Sequence, residues 1–239
     1  MTDPYDLFAA FYDAVNEEPE ERIALLLNLL ERHHPAATSV LELGCGTGAV
    51  LAGLGSGLEL VGVDRSVAML EVAKRRVPGA QFLLDDIVSV DVGRTFEVVL
   101  CVCDTINHLT TPEGWRAVFA RAAHHLAPGG LFIVDFNTRG RFLDLAESTP
   151  WAHGVDGHTL VMSLEFNDPL ATWHLRLFES LDGDLFRCRE GRIDELSLDT
   201  AVVLELLREH FEVVETLDTE GGVANDTSHR GVVVGRLLA

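Results

Sequence analysis

Three glycines at alternate positions, Gly44, Gly46 and Gly48, follow an apolar run in LELGCGTGAV. Gly44 lets a chain leave a strand sharply, Gly46 lets backbone approach a ligand, and Gly48 lets a helix pack close. The chemistry that suits such a turn is the holding of a nucleotide, helped by the free N–H groups of the helix behind it. Carboxylates follow at Asp64, at Asp85 with Asp86, and at Asp104, and the loop CDTINHL adds Asn107 and His108.

The turn has two readings. GCGTGA satisfies the dinucleotide pattern G-x-G-x-x-[GA] with Ala49 in last place, and Asp64 stands roughly twenty residues on, where that pattern wants an acid. On this motif alone an NAD(P)-dependent oxidoreductase stays open. Three features point elsewhere. Glu42 sits two residues before the first glycine, where many dinucleotide sites have another apolar strand residue. LLDDI offers carboxylate acceptors and a backbone N–H where a purine can lie. CDTINHL is polar and carries Asp104, Asn107 and His108.

The elements that must position these residues are legible as alternating short apolar strands and amphipathic helices. PEERIALLLNLLERH, residues 19 to 33, reads as a helix that Pro35 stops. TSVLELG, LELVGVD, AQFLLDD, FEVVLCVC and LFIVDFN read as strands. SVAMLEVAKRRVPG is a helix capped by Ser66, and PEGWRAVFARAAHHLAPGG is a helix with a glycine stop. Such alternation means a parallel sheet with right-handed crossovers, whose polar strand ends share one edge. Ligands bind there, at the switch point of strand order.

After about residue 150 the period changes to two. The segment from His158 to Ile193 reads as a small antiparallel sheet with turns at NDP and LDGD, Asp182-Gly183 being a hairpin signal. SLDTAVVLELLREH returns to helix with Ser197 as its cap, and FEVVETLD and GVVVGRLLA are two last strands. The whole is one α/β domain, 1–239. Its expected parts are an N-terminal helical lid (1–35), a cofactor-binding core (36–140), a β insertion over the cleft (150–195) and the last helix and strands (196–239).

The 239 residues and 47% hydrophobic content suit a globular protein. A formal charge of −20 disfavours nucleic acid and anionic membranes as partners. The start carries acid rather than base and lacks a cleavage pattern, and no apolar run approaches the roughly 18 residues that span a bilayer, so a cytoplasmic protein is expected. Cys45, Cys101, Cys103 and Cys188 make no disulfide framework, and CVC is not a zinc pattern, so no metal is expected. Strand alternation puts Cys101 and Cys103 on one face.

VLELGCGTG, VGVD, FLLDDI and LAPGGLFIVDFN, in this order and spacing, closely resemble the class I S-adenosylmethionine-dependent methyltransferases over residues 38 to 137. The resemblance implies a Rossmann-like seven-stranded, mostly parallel sheet flanked by helices, with the antiparallel cover inserted after strand five, and S-adenosylmethionine as cofactor. By that resemblance Gly44, Cys45, Gly46 and Gly48 form the turn beneath the methionine part and ribose, and Glu42 organises the amino-acid end. Asp64 accepts from both ribose hydroxyls. Arg65 and Met69 flank adenine, Asp86 or Asp85 takes its amino group, and the Ile87 N–H lies near a ring nitrogen. Cys103 and Asp104 meet the methionine moiety.

YDLFAAFYDAV, CDTINHL, DFNTRGRF and WHLRLFESLDGDLFRCREGR resemble a bacterial subgroup that includes N-methyltransferases of antibiotic deoxyaminosugars. This implies that Tyr12 closes over the cofactor and that His174, Glu190 and Arg192 line or border an acceptor pocket. A sulfonium methyl is already electrophilic, so alignment and exclusion of water are the main requirements. A neutral amine needs no base in the attack, whereas an alcohol benefits from one, for which His108, His174 and Glu190 are candidates. The expected acceptor is a small molecule, methylated at N rather than O, and the expected state a monomer or homodimer. The competing reading from another class is a cofactor-binding partner protein without its own activity.

Overall fold

Five apolar runs become the parallel strands of a central sheet. A computed structural model describes residues 4–7, 9, 11–15, 20–181, 185–219 and 221–238. The strands are β1 (Ser39–Leu43), β2 (Glu59–Asp64), β3 (Gln81–Leu84), β4 (Phe96–Cys101) and β5 (Leu126–Asn137). The helices are α1 (Tyr12–Val15), α2 (Glu20–His33), α3 (Ala49–Gly53), α4 (Val67–Arg76), α5 (Pro112–His124), α6 (Arg139–Ser148) and α7 (Thr200–Arg208). A second run of strands, β6 (Trp151–Val155), β7 (His158–Asn167), β8 (Leu170–Ser180) and β9 (Phe186–Leu196), precedes α7, and β10 (Phe211–Asp218) and β11 (Arg230–Leu237) complete the chain.

The large sheet has the order β10-β11-β5-β4-β1-β2-β3. β1 to β5 run parallel and β11 is antiparallel to both of its neighbours. Each central strand buries both faces, which is why it reads as a continuous apolar run. On one face Trp115, Val118 and Phe119 of α5 and Val203 and Leu207 of α7 pack on Leu41, Val99 and Phe132. On the other, Leu26, Leu29 and Leu30 of α2 and Val50 and Leu51 of α3 pack on Val40, Val98 and Ile133. Each such side chain, fully buried, contributes about 1.5–3 kcal/mol by leaving water.

The cover is a four-stranded antiparallel sheet, β6-β7-β8-β9. Its inner face carries Leu160, Ala171, Trp173, Leu175 and Ile193, packed on Phe142 and Leu145 of α6. Asn107, fully buried, fastens this sheet to the core. Its Nδ2 donates to the Asn137 carbonyl (3.0 Å) and the Leu196 carbonyl (2.9 Å), and its Oδ1 accepts from the Asn137 N–H (2.9 Å). One amide side chain therefore joins the ends of β5 and β9.

Several local expectations change. The first 35 residues, expected as one lid, divide: α2 is a core layer, and residues 4–7 and 11–15 rest over the cleft. Pro19 lies outside the described residues, as does the Asp182-Gly183 turn. α5 ends at His124, and LAPGG belongs to β5, whose register on β4 shifts between Phe96 and Val98. A Cβ on Gly130 would stand 2.9 Å from the Ala127 and Glu97 carbonyl oxygens, so the glycine serves close strand packing there rather than a helix stop. The N-cap of α7 is Asp199, not Ser197, whose N–H instead donates to the Pro169 carbonyl at 2.8 Å. Cys101 and Cys103 lie on opposite faces of the sheet. β4 ends at Cys101, and the chain then turns through left-handed backbone at Cys103 (φ 63°) and Asp104 (φ 52°).

Candidate active site

The strand ends of β1, β2, β4 and β5 open on a cleft of about 1000 Å3 that the cover sheet walls on its far side. The glycine turn hangs from β2: the Gly44 and Cys45 N–H groups both donate to the Val63 carbonyl, at 2.8 and 2.9 Å. Gly46 donates its N–H to Asp64 Oδ2 at 2.8 Å, and a Cβ there would meet no atom within 4 Å, so this turn faces open cleft. Gly48 (φ 73°) does not line the cleft. A Cβ on it would stand 3.1 Å from the Ala73 Cβ of α4, so its role is packing. α3 has only five residues, too short to act as a strong dipole toward a ligand.

Asp64 accepts from Gly46 and, through Oδ1, from the Ser66 N–H at 2.8 Å. A carboxylate at this strand end, lining the cleft, is suited to accept from hydroxyl donors. Glu42 is 2% exposed beneath the turn, and its Oε2 has no hydrogen-bond partner among the described residues. Burial first, then Asp64, holds its carboxyl well above the usual range, with Arg22 opposing. Arg65, Met69, Asp85, Asp86 and Ile87 line the same end. Asp86 Oδ1 accepts from the Val88 N–H (3.0 Å) and Asp85 Oδ1 from the Asp86 N–H (2.7 Å), so each has spent one lone pair on its own turn.

A buried charge network holds the left-handed turn after β4. Asp135 of β5, 2% exposed, accepts from the Asp104 N–H (2.7 Å), Arg230 Nη1 (2.8 Å) and Arg22 Nε (3.1 Å). Arg230 Nη2 also reaches Asp104 Oδ1 at 2.9 Å. Burial pushes the Asp135 carboxyl up, but Arg230 and Arg22 outweigh it and leave it below its ordinary value. Cys103 Sγ accepts from Arg22 at 3.0 Å, and burial pushes its thiol up to about 12. It is a neutral thiol rather than a nucleophile.

The N-terminal segment is tied across the cleft at three points. Asp6 accepts from Ser66 Oγ (2.6 Å). Asp13 accepts from Thr47 Oγ1 (2.8 Å) and pairs with Arg76 (2.6 Å). Tyr5 Oη meets His108 Nε2 at 2.6 Å. Tyr12 lines the cleft with its ring 6.0 Å from that of Tyr5. His108 is thus brought into the cleft, with Nδ1 3.9 Å from Glu195 Oε1.

His174, Glu190 and Arg192 do not reach this cleft. Even-numbered residues of β8 face outward, and on that outer face His174 lies 3.7 Å from Glu165, Arg176 pairs with Glu190 (3.0 Å) and Arg192 with Asp194 (2.9 Å). These are cross-strand and along-strand ion pairs of a solvated sheet face. The inward residues at the neighbouring register are Trp173, Ile193 and Glu195. Sequence reasoning missed these three together with Tyr5, Arg22, Asp135 and Arg230. The signal for the face was present: Leu175 and Leu177 share the phase of Trp173.

Asp91, His124 and His125 bring three potential ligand atoms within 4.8 Å of one another. His125 Nε2 already accepts from the Val92 N–H (2.9 Å) and its Nδ1 donates to the Arg121 carbonyl (2.8 Å), so His125 has no nitrogen left for an ion. Among the described residues no helix is long and apolar enough to cross a membrane.

An open, mostly parallel sheet with its acids gathered where strand order reverses, between β1 and β4, defines a Rossmann-like nucleotide-binding fold. The usual dinucleotide order would place a sixth parallel strand beside β5; here the neighbour is the antiparallel β11. Residues 40–130 match the family model of a methyltransferase domain. It is 33% identical over 134 residues to the dTDP-4-amino-2,3,4,6-tetradeoxy-D-glucose N,N-dimethyltransferase of Saccharopolyspora spinosa, covering 56% of this chain and 54% of that one. It is 32% identical over 172 residues to the trans-aconitate 2-methyltransferase of Acidovorax ebreus, covering 66% and 65%. The chain therefore spans between about half and two thirds of the length of these relatives. The fold matches that of a sugar N-methyltransferase from Streptoalloteichus with a TM-score of 0.81 at 21% identity, covering 100% of this chain and 94% of that one.

Proposed function

We propose that the protein methylates a small-molecule amine with S-adenosylmethionine, the acceptor being an aminosugar of the kind the Saccharopolyspora relative is named for. The observation that carries the reading is Glu42. A buried carboxyl with an unpartnered oxygen, beside Asp64 at the foot of an open glycine turn, suits a ligand that brings an ammonium and two hydroxyls. At the glycine turn it does not suit a pyrophosphate, which the Asp64 carboxylate would repel.

When bound, S-adenosylmethionine supplies an electrophilic methyl on a sulfonium. Asp64 would accept from the ribose hydroxyls and Glu42 from the amino group, while Asp85, Asp86 and the Ile87 N–H border the base. Arg22, held by Asp135, is a cation placed to meet a carboxylate. The ties of Asp6 and Asp13 close the N-terminal segment over this end, and Trp151, Met162 and Trp173 wall the acceptor end against water. The chain's contribution is then alignment of the acceptor nitrogen and management of its proton. A non-catalytic partner would be expected to have a flat or blocked site, and the room beside the cofactor end of this cleft favours the enzyme.

Transfer to a tricarboxylate, as the Acidovorax relative's name describes, is disfavoured by Glu195 and Asp104 facing the acceptor end. The test is mass spectrometry of two incubations with S-adenosylmethionine. One contains dTDP-4-amino-2,3,4,6-tetradeoxy-D-glucose and the other trans-aconitate. A methyl gain on the amine supports the reading, and a gain on aconitate alone overturns it.

A further inference from the structure

Glu195 lies on the inner face of β9, is 3% exposed, and borders the cleft. Its Oε1 accepts from Trp173 Nε1 at 2.9 Å, and its Oε2 has no hydrogen-bond partner among the described residues. Groups from every neighbouring element face it: Tyr5 from the N-terminal segment, Asp104 and His108 from the loop after β4, Asn137 from β5, Trp173 from β8 and Arg230 from β11. Burial, then Asp104, pushes the carboxyl up to about 8, against the side chains of Trp173 and Asn137 and the charge of Arg230. A buried carboxyl with one oxygen held and the other unmet in a cleft is built to receive a donor that arrives with its ligand.

We propose that Glu195 selects an acceptor carrying an aliphatic ammonium and takes its proton. The proposal rests on the methyl-transfer reading above and adds to it the residue that distinguishes amine from alcohol. The carboxyl proton first passes to water, favoured by the arriving positive charge, and the ammonium then donates to the ionised Oε2. Its N–H bond then breaks, the electron pair stays on nitrogen, and the proton bonds to the carboxylate oxygen, leaving a neutral amine beside a neutral carboxyl. An aliphatic ammonium has a pKa of about 10.4 and an ordinary Glu about 4.3, a gap of roughly six units. Against a carboxyl at about 8 the gap narrows to roughly two, and desolvation of the ammonium narrows it further. Tyr5 and His108 border the same cleft, His108 Nδ1 3.9 Å from Oε1, and would fix where the nitrogen lies.

Glu195→Gln keeps the volume and an acceptor oxygen for Trp173. The probes are dTDP-4-amino-2,3,4,6-tetradeoxy-D-glucose and the same nucleotide sugar with a hydroxyl in place of the amine. Each is titrated calorimetrically into the full chain loaded with S-adenosylhomocysteine. The wild type is expected to prefer the amine by about ten-fold or more. E195Q is expected to bind both sugars within about three-fold of each other, with unchanged affinity for S-adenosylhomocysteine. In turnover, kcat/KM of E195Q for the amine should rise about ten-fold per pH unit toward the amine pKa, where the wild type is flatter. A variant that keeps the amine preference and the wild-type pH profile overturns the proposal. So does a parallel loss of both sugars and of S-adenosylhomocysteine, which would mark a structural role. A wild type that binds S-adenosylhomocysteine but does not discriminate the sugars overturns it even if the variant fails to fold. A wild type that does not bind S-adenosylhomocysteine overturns the methyl-transfer reading itself.

Discussion

Asp135→Asn tests the buried network that shapes the loop after β4. The substitution keeps the side-chain volume and an oxygen for the Asp104 N–H, but it removes the charge between Arg22 and Arg230. Breaking one partner of a buried pair costs about 3–5 kcal/mol because the other charge stays buried. Arg230 keeps Asp104 at 2.9 Å, and the Arg22 side chain is 25% exposed and partly screened by water. The loss should therefore fall near the lower end, about 3 kcal/mol, a large part of the 5–15 kcal/mol typical of a domain. The pH dependence has a definite sign. The Asp135 carboxyl is depressed in the fold, so its contribution is present above the unfolded value of about 3.9 and is lost as pH falls through the folded value. Urea unfolding followed by tryptophan fluorescence, from pH 7 down to the acid transition, measures both. The gap between wild type and D135N should be widest at neutral pH and close below about pH 4. A loss under about 1 kcal/mol, or a gap that does not narrow in acid, would refute the account of the network.

Other perturbations separate the parts of the cleft. Asp64→Ala should weaken S-adenosylhomocysteine binding by about ten-fold or more, the loss of charge-assisted hydrogen bonds, while shifting the unfolding midpoint much less; equal losses in calorimetry and in urea would count against a ribose role. Asn107→Ala leaves the Asn137 N–H and the Asn137 and Leu196 carbonyls without their buried partner, and should cost about 2–3 kcal/mol in thermal unfolding. An unchanged Tm would mean the cover sheet is held by its apolar face alone. Arg76→Ala removes one of the two ties between Asp13 and the glycine turn, leaving the Thr47 hydroxyl; cofactor affinity should fall several-fold with little change in Tm, and an unchanged affinity would show that the Arg76 tie does not help close the site.

The legible parts of this protein were those written in local pattern. Gly44 to Gly48, Asp64, Asp85 and Asp86 sit at the ends of apolar runs, so a strand-turn-helix reading places them on one sheet edge without any knowledge of packing. Ser66 was recognisable as a cap because its hydroxyl serves the Met69 N–H three residues on. What escaped depends on partners far apart in the chain. Arg22, Asp135 and Arg230 meet only once α2, β5 and β11 have packed. Glu195 becomes a cleft residue only through the side on which β9 turns, and period-two alternation defines two faces without saying which is inward. That is how His174, Glu190 and Arg192 were placed in the cleft when they belong to its outside. Asp156-Gly157, with φ values of 50° and 81°, is a hairpin signal as strong as Asp182-Gly183, and overlooking it hid β6.

The most direct test of the central claim is calorimetric titration of the purified protein with S-adenosylmethionine, S-adenosylhomocysteine, NADH and NADPH. A site built from Glu42, Asp64 and an open glycine turn should bind the first two with micromolar affinity, about −8 kcal/mol, and neither nicotinamide. Binding of a nicotinamide with no binding of S-adenosylmethionine would contradict it, and GCGTGA would then be a dehydrogenase turn.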